Sequence, residues 1–239
     1  MSPGKRSERL LAAARTTKGF MPDDEGLALA AVAERATRAG SASIVEIGAW
    51  CGRSTLYLAS GVARALERGA GPALIFSVDH HRGSEENQVG WEYHDASLVD
   101  PDTGRIDTLP FWRRAVELAG AEDMAVAVVG DSPDVAARLR LDAGLVFIDG
   151  GHGEAPALAD YLGWAPHVAE GGWLLIHDVF EDPADGGRPP FEIYARALAS
   201  EEFAQVPEAD TGSLRVLRRV TAAVESRSRP RGSDRPANS

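Results

Sequence analysis

The stretch VFIDGGHGEAPALADYLGWAPHVAEGGWLLIHDVF, residues 146–180, holds two apolar runs separated by a segment with helical spacing. The first run ends at Asp149, and the second ends at His177 and Asp178. Continuous apolar runs are typical of strands buried on both faces, and a helix between two of them predicts a parallel β-α-β unit. Because ligands bind where parallel strands end, we interpret these polar side chains as parts of one site.

The same alternation of apolar runs and helical spacing recurs along the chain. We predict strands at residues 43–47, 73–78, 124–129, 144–148 and 173–176, and helices at residues 24–38, 54–66, 111–119, 133–139, 156–168 and 190–200. Residues 203–206 and 214–220 predict a late antiparallel pair. The predicted fold is α/β, a Rossmann-like doubly wound sheet of mostly parallel strands with a late antiparallel strand and helices on both faces.

Composition excludes several classes of partner. The 239 residues carry a formal net charge of -11, which argues against nucleic acid or an anionic membrane, since both need clustered Lys and Arg. Cys51 is the single cysteine, so no internal disulfide can form, which is consistent with a reducing cytoplasm. No apolar stretch reaches the roughly 18 residues of a membrane span. We therefore expect a cytoplasmic protein that binds neither nucleic acid nor membrane.

A glycine-bearing turn, EIGAWCGRST at residues 46–55, follows the first predicted strand. Its glycines, Gly48 and Gly52, let the backbone approach a ligand closely. The carboxylate of Glu46 would repel a pyrophosphate but suits an ammonium or sulfonium group, and Asp79 ends the second strand where a carboxylate can accept both ribose hydroxyls. The alternative is a tight turn from strand to helix that binds nothing.

Five segments carry a resemblance to a known family: VEIGAWCGRST, FSVDHH, VVGDS, FIDGGH and GGWLLIHDV. They resemble the small-molecule O-methyltransferases among the class I S-adenosylmethionine-dependent methyltransferases, both the catechol type and the macrocin type. Residues 44–217 follow the strand order of that superfamily. The resemblance implies S-adenosylmethionine as the cofactor, with contacts from Glu46, Gly48 and Gly52 to its methionine part, from Asp79 to its ribose, from Asp131 and Ser132 to its adenine, and with Ser54 in the same site.

The resemblance also implies a domain organisation. Residues 1–40 resemble the N-terminal helical lid of these enzymes, and residues 41–224 form the methyltransferase domain. Residues 225–239 are rich in Arg, Ser and Pro, a composition that predicts a disordered tail. A homodimer is the candidate assembly.

The polar residues at the ends of the fourth and fifth strands predict a metal site. Asp149, His177 and Asp178 offer two carboxylates and an imidazole, a set that suits Mg²⁺ or Mn²⁺. Such an ion would lower the pKa of the hydroxyl that receives the methyl group. In the resembling families the ligands are an aspartate after strand four and an acidic or amide pair after strand five, so His177 is a departure.

A general base is the second chemical requirement, and His152 is the candidate together with Asp149 as catalytic residues. The segment DGGH matches the D-G-x-H register of the macrocin-type enzymes, in which this histidine is the proposed base. An ordinary histidine titrates near pH ~6.5 and can accept a proton at neutral pH. The alternative is that His152 caps the following helix or bonds a backbone carbonyl.

The predicted acceptor is a hydroxyl on a small molecule, namely a secondary metabolite, a sugar or a phenol. A long polar segment, residues 80–110, is of a length that is usually functional or mobile. Within and beside it, Trp91, Tyr93 and Trp112 either line an acceptor pocket or form a small core of the loop. Two alternatives remain: a nicotinamide-dependent oxidoreductase, disfavoured by the absence of G-x-G-x-x-G, and a cofactor-binding protein without catalysis.

Overall fold

One sheet of seven strands runs through the described part of the chain, which in this computed structural model comprises residues 5–91, 93–182, 184 and 187–220. The strands are β1 (Ser43–Ile47), β2 (Leu74–Asp79), β3 (Ala125–Val129), β4 (Ala143–Ile148), β5 (Val168–Ile176), β6 (Phe203–Gln205) and β7 (Arg215–Arg219). Their order across the sheet is β3-β2-β1-β4-β5-β7-β6. The predicted tail, residues 225–239, lies outside the described residues, as do residues 221–224.

The sheet is parallel except at one edge. β1 pairs in parallel with β2 on one side and with β4 on the other, and β3 and β5 extend the parallel part outward. β7 pairs antiparallel with both β5 and β6. The predicted fold class is therefore confirmed. Because the chain leaves β1 toward β2 and later returns to β4, the topological switch point lies where β1 and β4 end, and ligands bind at such a point.

Helices cover both faces of the sheet, as predicted. They are α1 (Arg6–Thr16), α2 (Asp23–Arg38), α3 (Arg53–Leu66), α4 (Leu109–Ala119), α5 (Ser132–Arg138), α6 (Glu154–Trp164) and α7 (Pro189–Ala199). Buried side chains of α1 to α4 form one hydrophobic cluster with one face of the sheet, and those of α5 to α7 form a second cluster with the other face. Successive strand residues point to opposite faces, so Phe147 packs in the first cluster and Val146 in the second.

The N-terminal helices pack in the same core as the rest of the chain. Leu10 of α1 and Leu29 of α2 are fully buried in the first cluster beside residues of α3. Gly26 lies against the ring of Tyr57, where a Cβ would overlap the ring carbons. The predicted boundary at residue 40 therefore does not mark a break in packing, and the lid stays a prediction. In the described part of the chain, no helix combines the length and apolarity that crossing a membrane requires.

The prediction was wrong about where the last parallel strand begins. We predicted a helix to residue 168 and a strand from residue 173, whereas α6 ends at Trp164 and β5 already begins at Val168. Val168 pairs with Ala143, and the register between β4 and β5 then shifts before Trp173 pairs with Leu145. Gly171 and Gly172 cause the error, because they interrupt the apolar pattern that predicts a strand. The pairing of β4 with β5 continues past them with a shift in register.

Candidate active site

The glycine turn after β1 packs directly on the end of β4. Gly48 has a φ of +85°, and Gly52 has a φ of +96°, values that favour glycine. A Cβ on Gly48 would overlap the backbone carbonyl oxygen of Asp149, so a side chain at this position has no room. The backbone N–H of Gly48 donates to the carbonyl of Val78, the neighbouring residue of β2. The turn is thus fixed against both strands that flank β1.

Glu46, the acid at the start of the turn, is completely buried. Its Oε2 accepts hydrogen bonds of 2.6 Å from the hydroxyls of Thr55 and Ser77. Its Oε1 has no hydrogen-bond partner among the described residues. Burial raises the pKa of this carboxyl to about 7. A buried carboxylate oxygen without a partner is costly, so the position favours either a proton or a cationic group nearby.

Asp79 at the end of β2 holds the glycine turn in place. Its Oδ2 accepts from the backbone N–H groups of Ala49 at 2.9 Å and Trp50 at 2.8 Å, and its Oδ1 accepts from that of His81 at 2.6 Å. A carboxylate can accept about four hydrogen bonds, so capacity remains for a ligand hydroxyl. Trp50 and His81 both have positive φ values, which places the strain of the turn beside this carboxylate.

The remaining predicted cofactor residues lie at the starts of helices that follow strands. Ser54 is buried in the first turn of α3, and Asp131 is exposed immediately before α5. The hydroxyl of Ser132 accepts a hydrogen bond of 2.7 Å from the indole N–H of Trp164. Asp160 of α6, which the sequence analysis did not single out, is buried against Gly150, and burial raises its pKa to about 6.

Asp149, His152 and Asp178 come together where β4 and β5 end. One ligating atom from each of the three lies within 4.8 Å of those of the other two, and we call this group the acid–histidine cluster. Nε2 of His152 lies 2.9 Å from Oδ2 of Asp178. The ends of the parallel strands β4 and β5 therefore bring Asp149 and Asp178 together, and His152 joins them. Two carboxylates and one imidazole suit a divalent cation with oxygen preference.

His177 lies behind the acid–histidine cluster. Its Nδ1 is 3.0 Å from Oδ1 of Asp149 and 3.2 Å from Oδ2 of Asp178, and its Nε2 is 2.5 Å from Oε2 of Glu25. Each ring nitrogen thus faces carboxylate oxygens, and a nitrogen that donates to a carboxylate has no lone pair for a metal ion. We predicted His177 as the third ligand, but the acid–histidine cluster contains His152 instead. The metal site itself stays a prediction.

The charges of the two histidines follow from these contacts. Burial opposes charge on His177, but the nearby Asp149 outweighs it and holds the pKa of His177 well above its ordinary value. The hydrogen bond to Asp178 raises the pKa of His152 to about 9. In this arrangement His152 carries a proton at neutral pH. It can act as a base only when Asp178 is engaged elsewhere.

Two acids that local sequence patterns do not reveal, Glu25 and Glu86, complete the surroundings of the cluster. Glu25 is in the first turn of α2, where it reads as an acid that complements the helix dipole, yet it is buried against His177. Glu86 belongs to the long polar segment 80–110, and its Oε2 lies 3.4 Å from Nδ1 of His152. Neither contact leaves a local signal in the sequence, because each joins distant segments.

An aromatic cleft of about 380 Å³ opens beside the glycine turn. The ring centroid of Phe20 lies 5.8 Å from that of Trp50 and 5.5 Å from that of Tyr93. The residues that line this cleft are Lys18, Gly19, Phe20, Trp50, Tyr93, His94, Asp95 and Ala96. The backbone N–H of Tyr93 donates to the carbonyl of Glu86. Tyr93 of the cleft is therefore hydrogen-bonded to the residue whose carboxylate lies beside His152.

Only one of the three aromatic residues predicted for an acceptor pocket lines this cleft, namely Tyr93. Trp112 lies in the core instead, 5% exposed, and its indole N–H donates to Thr55. Trp91 is 58% exposed and lies outside the cleft lining. The difference arises because α4 turns Trp112 inward beneath Gly52, a packing that a loop sequence does not reveal.

A family model described as "Methyltransferase domain" matches residues 45–179, more than half of the chain. The matched segment begins in β1 and ends just after β5, so it contains the glycine turn, Asp79 and the acid–histidine cluster. This match confirms the methyltransferase resemblance that the sequence motifs carry.

Solved structures share the fold at low sequence identity. An O-methyltransferase from Bacillus cereus in complex with S-adenosylhomocysteine is 16% identical, with a TM-score of 0.56 over 92% of each chain. The O-methyltransferase TomG from Streptomyces achromogenes, in complex with S-adenosylmethionine and involved in tomaymycin synthesis, is 15% identical, with a TM-score of 0.54 over 92% of this chain and 91% of that one. The O-methyltransferase NovP is 16% identical, with a TM-score of 0.57 over 91% of this chain and 80% of that one.

Proposed function

The chain belongs to the methyltransferase family, and from that premise we propose that it transfers a methyl group from S-adenosylmethionine to a hydroxyl of a small-molecule acceptor. One observation carries the proposal: Gly48 of the glycine turn lies against the backbone of Asp149 in the acid–histidine cluster. A methyl donor held by the turn and a hydroxyl held at the cluster would therefore be neighbours. Orientation of this kind supplies much of the rate acceleration in group transfer.

The residues around the turn fit the proposed cofactor. S-adenosylmethionine supplies an electrophilic methyl group on a sulfonium centre. The buried Oε1 of Glu46, which lacks a partner in the described chain, favours the cationic methionine part. Asp79 has capacity left for ribose hydroxyls after holding the turn, and Asp131 and Ser132 remain the residues proposed for the adenine.

The acid–histidine cluster is proposed to activate the acceptor hydroxyl. An alcohol or phenol is a weak nucleophile until it loses its proton. Asp149 and Asp178 would hold a divalent cation such as Mg²⁺ or Mn²⁺, which lowers the pKa of a hydroxyl beside it. With Asp178 so engaged, His152 would lose the hydrogen-bond partner that raises its pKa and would be able to accept the proton. An imidazole nitrogen whose lone pair binds a metal ion cannot also accept a proton. We therefore assign His152 as the base and not as a ligand.

The aromatic cleft is proposed to hold the acceptor. A sugar needs hydrogen-bonding groups for several hydroxyls, whereas Lys18 and Asp95 of the cleft are already paired with each other, and Nδ1 of His94 is paired with the carbonyl of Asn87. What the cleft offers is ring surface from Phe20 and Tyr93. Aromatic side chains stack with or pack edge-on to flat rings. We therefore place a phenol ahead of a sugar as the acceptor.

Incubation with radiolabelled S-adenosylmethionine tests the proposal. The panel contains catechol and dihydroxynaphthalene as phenols, and methyl glucoside as a sugar. We expect labelled methyl ethers from the phenols, identified by mass spectrometry. Calorimetric binding of the cofactor without any transfer would instead support a cofactor-binding protein that lacks catalysis, and binding of NADPH in its place would support the oxidoreductase alternative. Cytoplasmic location and a homodimer stay predictions.

A further inference from the structure

We infer that Glu25 of α2 is a positioning residue for the candidate active site, which it controls through His177. The inference rests on the proposed function, because the site that it serves is the acid–histidine cluster. The contact is buried on both sides, with 4% of the Glu25 side chain and 5% of the His177 side chain exposed. Oε2 of Glu25 lies 2.5 Å from Nε2 of His177.

The orientation of the Glu25 carboxylate is fixed from its other side. Its Oε1 accepts the backbone N–H of Ser213 at 2.5 Å and the hydroxyl of Ser213 at 3.0 Å. Gly212 has a φ of +53°, and a Cβ there would overlap the carboxylate of Glu25. The turn before β7 therefore closes around this acid. Both carboxylate oxygens have donors, so the group has one favourable orientation.

A fixed Glu25 fixes the imidazole of His177. With Nε2 directed at Glu25, Nδ1 must face the opposite way, and there it meets Oδ1 of Asp149 and Oδ2 of Asp178. One imidazole thus sets the orientation of both carboxylates of the acid–histidine cluster. Asp178 is the second residue after β5 and has a φ of +55°, a strained backbone that needs such support.

This arrangement gives His177 a role different from ligation. Both ring nitrogens face carboxylate oxygens, so the residue supports the cluster from behind, as outer partners do in metal sites. The support comes from α2, an element that precedes the sheet in the chain and packs on α3 in the first hydrophobic cluster. The N-terminal segment thereby contributes to the geometry of the acid–histidine cluster through His177.

Two substitutions at one position separate positioning from mere stability. Glu25→Ala removes the contact, whereas Glu25→Gln keeps the size and an oxygen for the donors of Ser213. Its NH2 group can donate to Nε2 of His177 once that nitrogen is unprotonated, which leaves the ring proton on Nδ1 toward Asp149. Asp24→Ala is the control for effects on the helix start, because Asp24 is an exposed acid on the same helical turn and its Oδ1 accepts the backbone N–H of Glu25 at 3.0 Å. The measurements are kcat and KM on a phenol with saturating cofactor, the Kd for S-adenosylhomocysteine, the Kd for Mn²⁺, and the ¹H–¹⁵N ring signals of the histidines.

We expect Glu25→Ala to lower kcat and Mn²⁺ affinity by about 10- to 100-fold, the usual effect of losing an outer partner. Its affinity for S-adenosylhomocysteine should match that of the wild type, and the His152 ring signals should shift. Glu25→Gln should retain most of the wild-type kcat, and Asp24→Ala should resemble the wild type. A folded Glu25→Ala variant with a lower melting temperature but unchanged kcat and unchanged His152 signals would overturn the inference.

Failure of the proposed function has a different signature. A wild type that shows neither transfer nor Mn²⁺ binding contradicts that function, while the ring signals of His152 and His177 still test the positioning role without any ligand. If these signals are the same in Glu25→Ala and in the wild type, the inference is wrong. Glu25→Gln being as impaired as Glu25→Ala would also overturn it, because hydrogen-bonded positioning would then not be the cause.

Discussion

Gly48 lies so close to the backbone of Asp149 that a Cβ on it would overlap the carbonyl oxygen of Asp149. The two residues follow adjacent strands, β1 and β4, at the switch point of the sheet. The contact joins the proposed cofactor turn to the acid–histidine cluster. A substitution in the glycine turn should therefore alter the geometry of the cluster, and a substitution in the cluster should alter that of the turn.

Gly48→Ala should impair folding and both halves of the site. The left-handed backbone alone costs roughly 1–2 kcal/mol for a residue with a Cβ, and the overlap with Asp149 adds to it. We expect a lower melting temperature, weaker binding of S-adenosylhomocysteine and loss of transfer. Gly69→Ala is the control, since Gly69 has a similar φ of +86° but no atom within 4 Å of the new Cβ. Equal effects of both substitutions would show that strain alone matters.

Asp79→Asn should weaken cofactor binding. The amide oxygen can still accept from the backbone N–H groups of Ala49 and Trp50, but the NH2 group then faces the N–H of His81, and the charge offered to ribose hydroxyls is lost. Hydrogen bonds to a charged group contribute about 1.5–3 kcal/mol, so the Kd for S-adenosylhomocysteine should rise at least about tenfold. Calorimetry measures it, with Asp102→Asn, an exposed loop acid, as the control. Unchanged affinity would remove Asp79 from the cofactor site.

Transfer should require a divalent cation. EDTA should abolish the reaction, and Mg²⁺ or Mn²⁺ should restore it. Asp149→Asn and Asp178→Asn should each lose Mn²⁺ binding, because a neutral amide is a poorer ligand for a hard cation. Glu85→Gln, an exposed acid near the site, should behave as the wild type. Full activity in chelator would mean that the cluster acts through hydrogen bonds and charge alone.

His152→Ala should lower kcat by about 10²–10⁴-fold, the usual contribution of a general base, with cofactor affinity unchanged. In metal-free buffer, NMR titration of the His152 ring should give a pKa of about 9, because Asp178 accepts its hydrogen bond. Asp178→Asn should lower this pKa toward the ordinary value, and Glu86→Gln should lower it by less. Near-normal turnover of His152→Ala would leave this residue as a structural neighbour of Asp178.

The raised pKa of His152 also makes stability depend on pH. A group that binds its proton more tightly in the folded state stabilises the fold fully below its unfolded pKa of ~6.5, and this contribution is lost as the pH rises through the folded pKa of about 9. The free energy of unfolding of the metal-free wild type should therefore fall more steeply between these values than that of His152→Ala. Urea titrations across the window measure the difference.

Substitutions in the aromatic cleft should act on the acceptor and not on the cofactor. Phe20→Ala and Tyr93→Ala should each raise KM for a phenol about 2- to 10-fold, the loss expected for one aromatic contact. Affinity for S-adenosylhomocysteine should be unchanged. Trp91→Ala provides the control, because this exposed aromatic belongs to the same loop but lies outside the cleft. If Trp91→Ala has the largest effect, the acceptor binds elsewhere on the loop.

Much of the fold could be predicted from the sequence. The strands of β1 to β4 were placed to within a residue or so, because continuous apolar runs and helical spacing are local properties. Strand direction then placed Asp149 and Asp178 at one edge of the sheet, and the glycine turn followed from residues that need positive φ. The predicted start of β5 was wrong, because two glycines interrupt the apolar pattern of a strand that is stabilised by its pairing with β4.

The contacts that give these residues their roles were decided only by the tertiary structure. Glu25 and His177 are 152 positions apart, and Glu86 meets His152 from a loop that reads as exposed charge. Nothing local distinguishes a buried Glu25 from the other acids that begin α2. The physical reason is that secondary structure follows from each segment's own periodicity, whereas the charge and orientation of a buried side chain depend on which distant groups packing places around it.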